Sequence, residues 1–114
     1  MENKAKCKVL VIIPAYNEAE SIVRVVKQMM EQAPEYDYLV VNDGSTDDTL
    51  ALCKREGFQY IDLPINMGIG GAVQAGYIYA RKNRYDIAVQ MDGDGQHDIT
   101  YLERMIAPIL AREA

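Results

Sequence analysis

A chain of 114 residues supplies one domain with one core and little more. Its 12 basic residues against 17 acidic ones give a formal net charge of -5, the wrong sign for gripping a phosphate backbone, so nucleic acid is not an expected partner. The longest apolar runs, Val9 to Ile13 and Asp86 to Met91, fall far short of the roughly 20 residues that span a bilayer, and MENKAKCK leads into no signal-peptide region, so a cytosolic chain without a membrane segment is expected.

In chain order, Lys8 to Ile13 (KVLVII) reads as the first strand. Asn17 and Glu20 form a capping box for a helix in AESIVRVVKQMMEQA, where Ile22, Val23, Val26, Met29, Met30 and Ala33 recur at three and four and Pro34 marks the stop. Tyr38 to Val41 is the second strand. Ser45 can cap the next helix, with Asp47 and Asp48 in its first turn, basic residues in its last and Gly57 at its end. Phe58 to Leu63 is the third strand, followed by a helix over 70–82 that is expected to bury Val73, Tyr77 and Ala80. Asp86 to Met91 is the fourth strand, and a helix from about Thr100 carries Leu102, Met105 and Ile106 until Pro108 kinks or ends it. Cys7 and Cys53 stand isolated and read as buried free thiols, and with one histidine they build no zinc cage.

Strand and helix alternate four times, and the strands are nearly continuous in apolar character. This predicts an α/β fold, a three-layer α/β/α arrangement around a mostly parallel sheet, in a single domain spanning 1–114. The turns from helix back to strand are ordinary. Those that follow strands read PAYNE, NDGSTDD, PINMGIGG and DGDGQHD, so the unusual chemistry lies at the carboxyl rim of the sheet, where open parallel sheets bind ligands.

In DGDGQ, Asp92 and Asp94 repel one another unless a cation lies between them, and the Gln96 amide oxygen adds a neutral donor. Such an all-oxygen set suits Mg²⁺ or Mn²⁺, although a solvated acidic turn has the same composition. DGDGQHDITYLE also mimics a calcium loop, but His97 stands where that loop needs glycine and the segment before it reads as a strand. Asp43, at the end of the second strand, is placed either to accept hydrogen bonds from a base or ribose or to bond its own turn. Asp47 and Asp48 read as solvated partners of a helix dipole. Tyr16 is either a wall for a nucleobase or rim packing, and Asn17 is accounted for as a cap. NMGIGGAVQAG is neither a dinucleotide fingerprint nor a P-loop, and its glycines serve either close helix packing or approach to a ligand.

Together, IIPAYNE, VVNDGSTDDT, NMGIGGAVQAGYIYA and QMDGDGQHD, in this order and spacing, resemble the donor-binding half of a family 2 glycosyltransferase of the GT-A fold. The likeness is to the dolichyl-phosphate mannose synthase and polyprenyl-phosphate sugar transferase branch. It implies strand order 3-2-1-4 and an inverting hexosyltransferase that takes a UDP- or GDP-linked sugar and passes the sugar to a polyprenyl or dolichyl phosphate. Pro14, Tyr16, Glu18, Val41, Asp43, Gly71, Asp92 and Gly93 would meet the nucleotide sugar, while Asp92, Asp94 and Gln96 would hold Mg²⁺ or Mn²⁺, the two aspartates carrying the catalytic electrostatics. Members of this family continue past the last residues of this chain, so a truncated, donor-binding part is expected, inactive by itself, with membrane association belonging to a full-length form. A homo-oligomer formed through the fourth strand's open edge or through exposed apolar surface is expected as well. Two other classes remain at this stage, a nucleotidyltransferase and a non-enzymatic calcium-binding module.

Overall fold

A computed structural model describes residues 7–92 and 102–108. Strands β1 (Val9–Ala15), β2 (Asp37–Asp43), β3 (Tyr60–Leu63) and β4 (Ile87–Gln90) alternate with helices α1 (Ile22–Gln32), α2 (Thr49–Glu56) and α3 (Gly68–Lys82). A further helical segment occupies 102–108. The sheet is parallel throughout, in the expected order β3-β2-β1-β4.

Every residue of β1 is buried, as a central strand covered on both faces requires. Val9, Val11 and Ile13 point to one layer, where they join Val25, Val26 and Met29 of α1 together with Leu102 and Ile106. Leu10 and Ile12 point to the other, where they meet Leu39, Val41, Ala72 and Ala80 beneath α3. Each large side chain so buried contributes about 1.5–3 kcal/mol of transfer free energy, and the alternation pins the register of the strand.

Four local expectations are corrected. Asn17 does not cap α1, which starts at Ile22 after Ser21 with no side-chain capping bond. Ser45 does not cap α2, which begins at Thr49 after Asp48. The third strand starts at Tyr60, not Phe58; Phe58 is instead a buried plug set edge-on to Tyr38, ring centroids 6.3 Å apart. The helix expected over 70–82 begins two residues earlier, and its inward face is Ala72, Gly76 and Ala80, leaving Val73 only half-buried and Tyr77 exposed.

That inward stripe lets α3 sit close to β1. A Cβ placed on Gly76 would lie 2.5 Å from Ile12 Cγ2, a branch next to a fully buried backbone that has nowhere to go. Gly70, in the same helix, has open space around it. Gly76→Ala is therefore expected to lower stability by about 1–3 kcal/mol through overpacking, despite the better helix propensity of alanine. Gly70→Ala should raise it by about 0.5–1 kcal/mol. Urea unfolding of the two variants beside the parent chain checks both signs.

Candidate functional site

The connections that leave the carboxyl ends of β1, β2 and β3 are fastened to one another. After β1 the backbone turns sharply at Asn17, whose φ of 56° is a left-handed conformation that asparagine tolerates better than most residues. Its N–H donates to Ser45 Oγ at 2.9 Å, and its Oδ1 accepts from the backbone N–H groups of Thr46 at 2.8 Å and Asp47 at 3.2 Å. Asn17 thus satisfies the backbone ahead of the second helix, not the first. Asp47 returns the favour: Oδ2 accepts from the Ala19 N–H at 3.2 Å and Oδ1 from the Thr49 N–H at 2.9 Å and the Thr49 hydroxyl, while Thr49 Oγ1 accepts from the Glu18 N–H at 2.9 Å. Asp47, exposed at the start of α2 as expected from sequence, is therefore a brace between two connections as well.

The second fastening centres on Asp43, 3% exposed at the end of β2. Its Oδ1 accepts from the Met67 N–H at 2.6 Å, while Asn66 Nδ2 donates to Asp43 Oδ2 at 3.2 Å and to the Asp43 carbonyl at 3.0 Å. Gly44 makes this contact possible. It has φ of 67°, and a Cβ there would lie 2.4 Å from the Asn66 nitrogen. Asp43 thus bonds a connection 23 residues away and not its own turn, the partner that the turn alternative expected.

These braces frame a cleft of about 440 Å³ at the carboxyl rim, walled by Pro14 and Ala15 at the end of β1, Tyr16 and Glu18 just after it, Asp43 at the end of β2, Asn66 before α3, Gly68 and Ile69 in the first turn of α3, and Asp92 after β4. Five of the expected site residues, Pro14, Tyr16, Glu18, Asp43 and Asp92, are thereby brought together. Val41 is not among them: fully buried, it belongs to the apolar layer beneath α3. Gly71 faces Met67, the residue just before α3, and is absent from the cleft wall. Gly93, Asp94 and Gln96 lie outside the described residues. Sequence reading missed Asn66, Gly68 and Ile69 as wall residues, since their role follows from a bond to Asp43 that no local pattern announces.

Among the described residues the wall carries three carboxylates, Glu18, Asp43 and Asp92, and no lysine, arginine or histidine. Among the described residues no three acidic, histidine or cysteine side chains could hold a metal ion together. A second cleft, of about 530 Å³, opens at the opposite rim among tyrosines. Its polar groups are spent on one another: Tyr85 donates to Asp37 Oδ2 at 2.7 Å, Gln59 Nε2 donates to Tyr79 Oη at 2.8 Å, and the Gln59 N–H to Tyr38 Oη at 3.0 Å. Cys53 is buried, which pushes its thiol up to about 11, and Cys7 is half-buried; both are free. The segment that leads into DGDGQHDITYLE is strand β4, not the helix that a calcium loop requires.

A family profile described as Glycosyl transferase family 2 matches residues 10–114. The chain is 34% identical over 107 residues to the undecaprenyl-phosphate mannosyltransferase of Micrococcus luteus, covering 90% of this chain and 44% of that protein. It is also 34% identical over 105 residues to the polyprenol monophosphomannose synthase of Mycolicibacterium smegmatis, covering 87% and 40%. It thus spans less than half the length of these relatives. Among solved structures it resembles the Pyrobaculum calidifontis mannosyltransferase PcManGT in complex with GDP-Man and Mn²⁺, with TM-score 0.67 and 25% identity over 78% of this chain and 28% of that one. The glucosyl-3-phosphoglycerate synthase of Mycobacterium tuberculosis, in complex with Mn²⁺, UDP and glucosyl-3-phosphoglycerate, superimposes with TM-score 0.74 and 25% identity over 94% and 41%.

The brace at Asp47 carries a pH signature. Burial pushes its carboxyl up, but the hydrogen bonds from Thr49 and Ala19 outweigh this and hold it below its ordinary value of 3.8. Its stabilising effect is therefore complete above the unfolded value and is lost as pH falls through the lower, folded one. Asp47→Asn should destabilise the chain at neutral pH and flatten the fall in the urea midpoint below about pH 4; an acid limb identical to the parent's would refute the role.

Proposed function

The chain belongs to glycosyl transferase family 2, and on that premise we propose that its rim cleft binds a nucleotide sugar together with a divalent cation. The observation that carries this reading is the charge of the wall: among the described residues it holds three carboxylates and no basic side chain. A diphosphate is repelled from such a surface unless a cation accompanies it. The donor chemistry fits that cation. Asp92 stands in the wall, and Asp94 and Gln96 follow it in a run that offers only oxygen ligands, the preference of Mg²⁺ and Mn²⁺. Support comes also from the Mn²⁺ and nucleotides in the complexes of the similar structures.

In this reading Tyr16 provides a flat wall for the base and Glu18 polar contacts beside it. Asp43 keeps acceptor capacity, since a carboxylate offers about four lone-pair sites and the bonds from Asn66 and Met67 use two. Its other task is to hold Asn66 and Met67 over the rim. Val41 contributes packing beneath the site, and Gly71 lets the first turn of α3 fold close against Met67 at its edge. When bound, the metal would stabilise the negative charge that gathers on the departing diphosphate. The names of the relatives point to a hexose as the group moved and to a polyprenyl phosphate as acceptor. Such an acceptor is already an anionic nucleophile and needs little help from a base. The remaining expectations are carried on the same footing: the outer edge of β4, which among the described strands pairs only with β1, is offered to a second copy, and the free thiols suit a reducing, cytosolic setting. No helix among the described residues is long and apolar enough to cross a membrane.

Titration calorimetry with UDP and GDP, each with and without Mn²⁺, tests the proposal. Nucleotide binding that metal strengthens is expected. Asp92→Asn should weaken the metal-supported affinity at least roughly tenfold, since a charge-assisted contact contributes about 1.5–3 kcal/mol. Calcium binding without any nucleotide binding would overturn it.

A further inference from the structure

Turning Val73 and Tyr77 away from the core gives α3 an outer face that is unusual for a solvated helix. Ile69, Val73, Tyr77 and Arg81 follow one another at intervals of four, so they lie along one side. Ile69 is 62% exposed, and Tyr77 and Ile78 are each 45% exposed. The connection before the helix adds Ile65 and Met67, both more than half exposed. Between Val73, Tyr77, Ile78 and Arg81 runs a shallow groove of about 530 Å³.

Charge distinguishes this face from a simple apolar patch. The chain carries a net -5, yet residues 64–85 contain Arg81, Lys82 and Arg84 and no acidic residue. An apolar stripe with a tyrosine, closed at one end by basic side chains whose stems can lie along it, is the pattern of a helix resting in a lipid interface. Its other end reaches the rim cleft, because Ile69 belongs both to the stripe and to the cleft wall.

We propose that the outer face of α3, with the 64–67 connection, docks on an anionic lipid surface and sets the mouth of the rim cleft beside it. Apolar side chains enter the boundary between head groups and acyl chains, and Arg81, Lys82 and Arg84 face the lipid phosphates. A lipid-borne phosphate would then meet the donor without leaving the interface. That last link rests on the proposed donor site; the docking does not.

Co-sedimentation of the chain with phosphatidylcholine vesicles, with and without phosphatidylglycerol, tests this. Binding is expected to the anionic vesicles, to weaken with added salt, and to be largely lost in the double variant Tyr77→Ser/Ile78→Ser. Arg81→Gln should lower the partition roughly fivefold. Met30→Ser, an exposed apolar residue on α1, should leave it unchanged. Failure of the parent chain to sediment, or equal sedimentation of both α3 variants, overturns the proposal. So does a dimer seen by light scattering that the double variant dissolves without any change in sedimentation, which would assign this face to a second copy. Nucleotide titration of the double variant separates the two readings: lost sedimentation with intact nucleotide binding is expected, whereas a parent chain that sediments but takes no nucleotide sinks the donor reading and leaves the docking surface standing.

Discussion

The carboxylate of Asp43, buried at the end of β2, holds the connection between β3 and α3 down onto the sheet's rim. One backbone group and one amide donate to it, the Met67 N–H and the Asn66 side chain, and the same amide also donates to the Asp43 carbonyl. A buried carboxylate without partners would be costly, so these bonds both satisfy the charge and fix a long-range crossing. The crossing in turn needs Gly44, because any side chain there would occupy the space of the Asn66 backbone. Without this crossing, the rim would lack the wall formed by Asn66, Gly68 and Ile69, and the first and second connections, braced through Asn17 and Asp47, would border open solvent.

Much of this was legible in the sequence, and the divide follows physical lines. Strand positions were readable because strands buried on both faces are almost uniformly apolar, and β1 is the plainest case. The parallel order could be expected only through the family resemblance, but once the strands alternate with helices few alternatives remain. Helix caps misled. Asn17 and Ser45 carry the right side chains at the right distance from a helix, yet each bonds the other's connection, and local spacing cannot tell a cap from a brace. Helix α3 misled for another reason: its bulky residues recur at helical intervals, but the face that meets the sheet is the one with small residues, because close approach to Ile12 excludes anything larger.

The site divides in the same way. Side chains next to strand ends, such as Tyr16, Glu18, Asp43 and Asp92, were found because the topology dictates where strand ends go. Val41 was carried over by family likeness, while its alternation with Asn42 along β2 turns its side chain into the core. Asn66 and Ile69 belong to the wall through a contact that spans more than twenty residues, which no window of sequence reveals. In the proposed function the acidity of the wall ties these parts together, since it would favour an anion that arrives neutralised over one that arrives bare.

Helix α3 is seated so tightly that its two sides live under different rules. Along Ala72, Gly76 and Ala80 the fold admits almost no change of volume, whereas the side turned outward carries no structural obligation of its own. Mutation can therefore rewrite the outward side from Val73 onward, beyond the Ile69 that it shares with the cleft wall, while leaving the geometry of the rim as it was. A helix built this way lets its exposed surface and the cleft beside it evolve as separate traits within a single element.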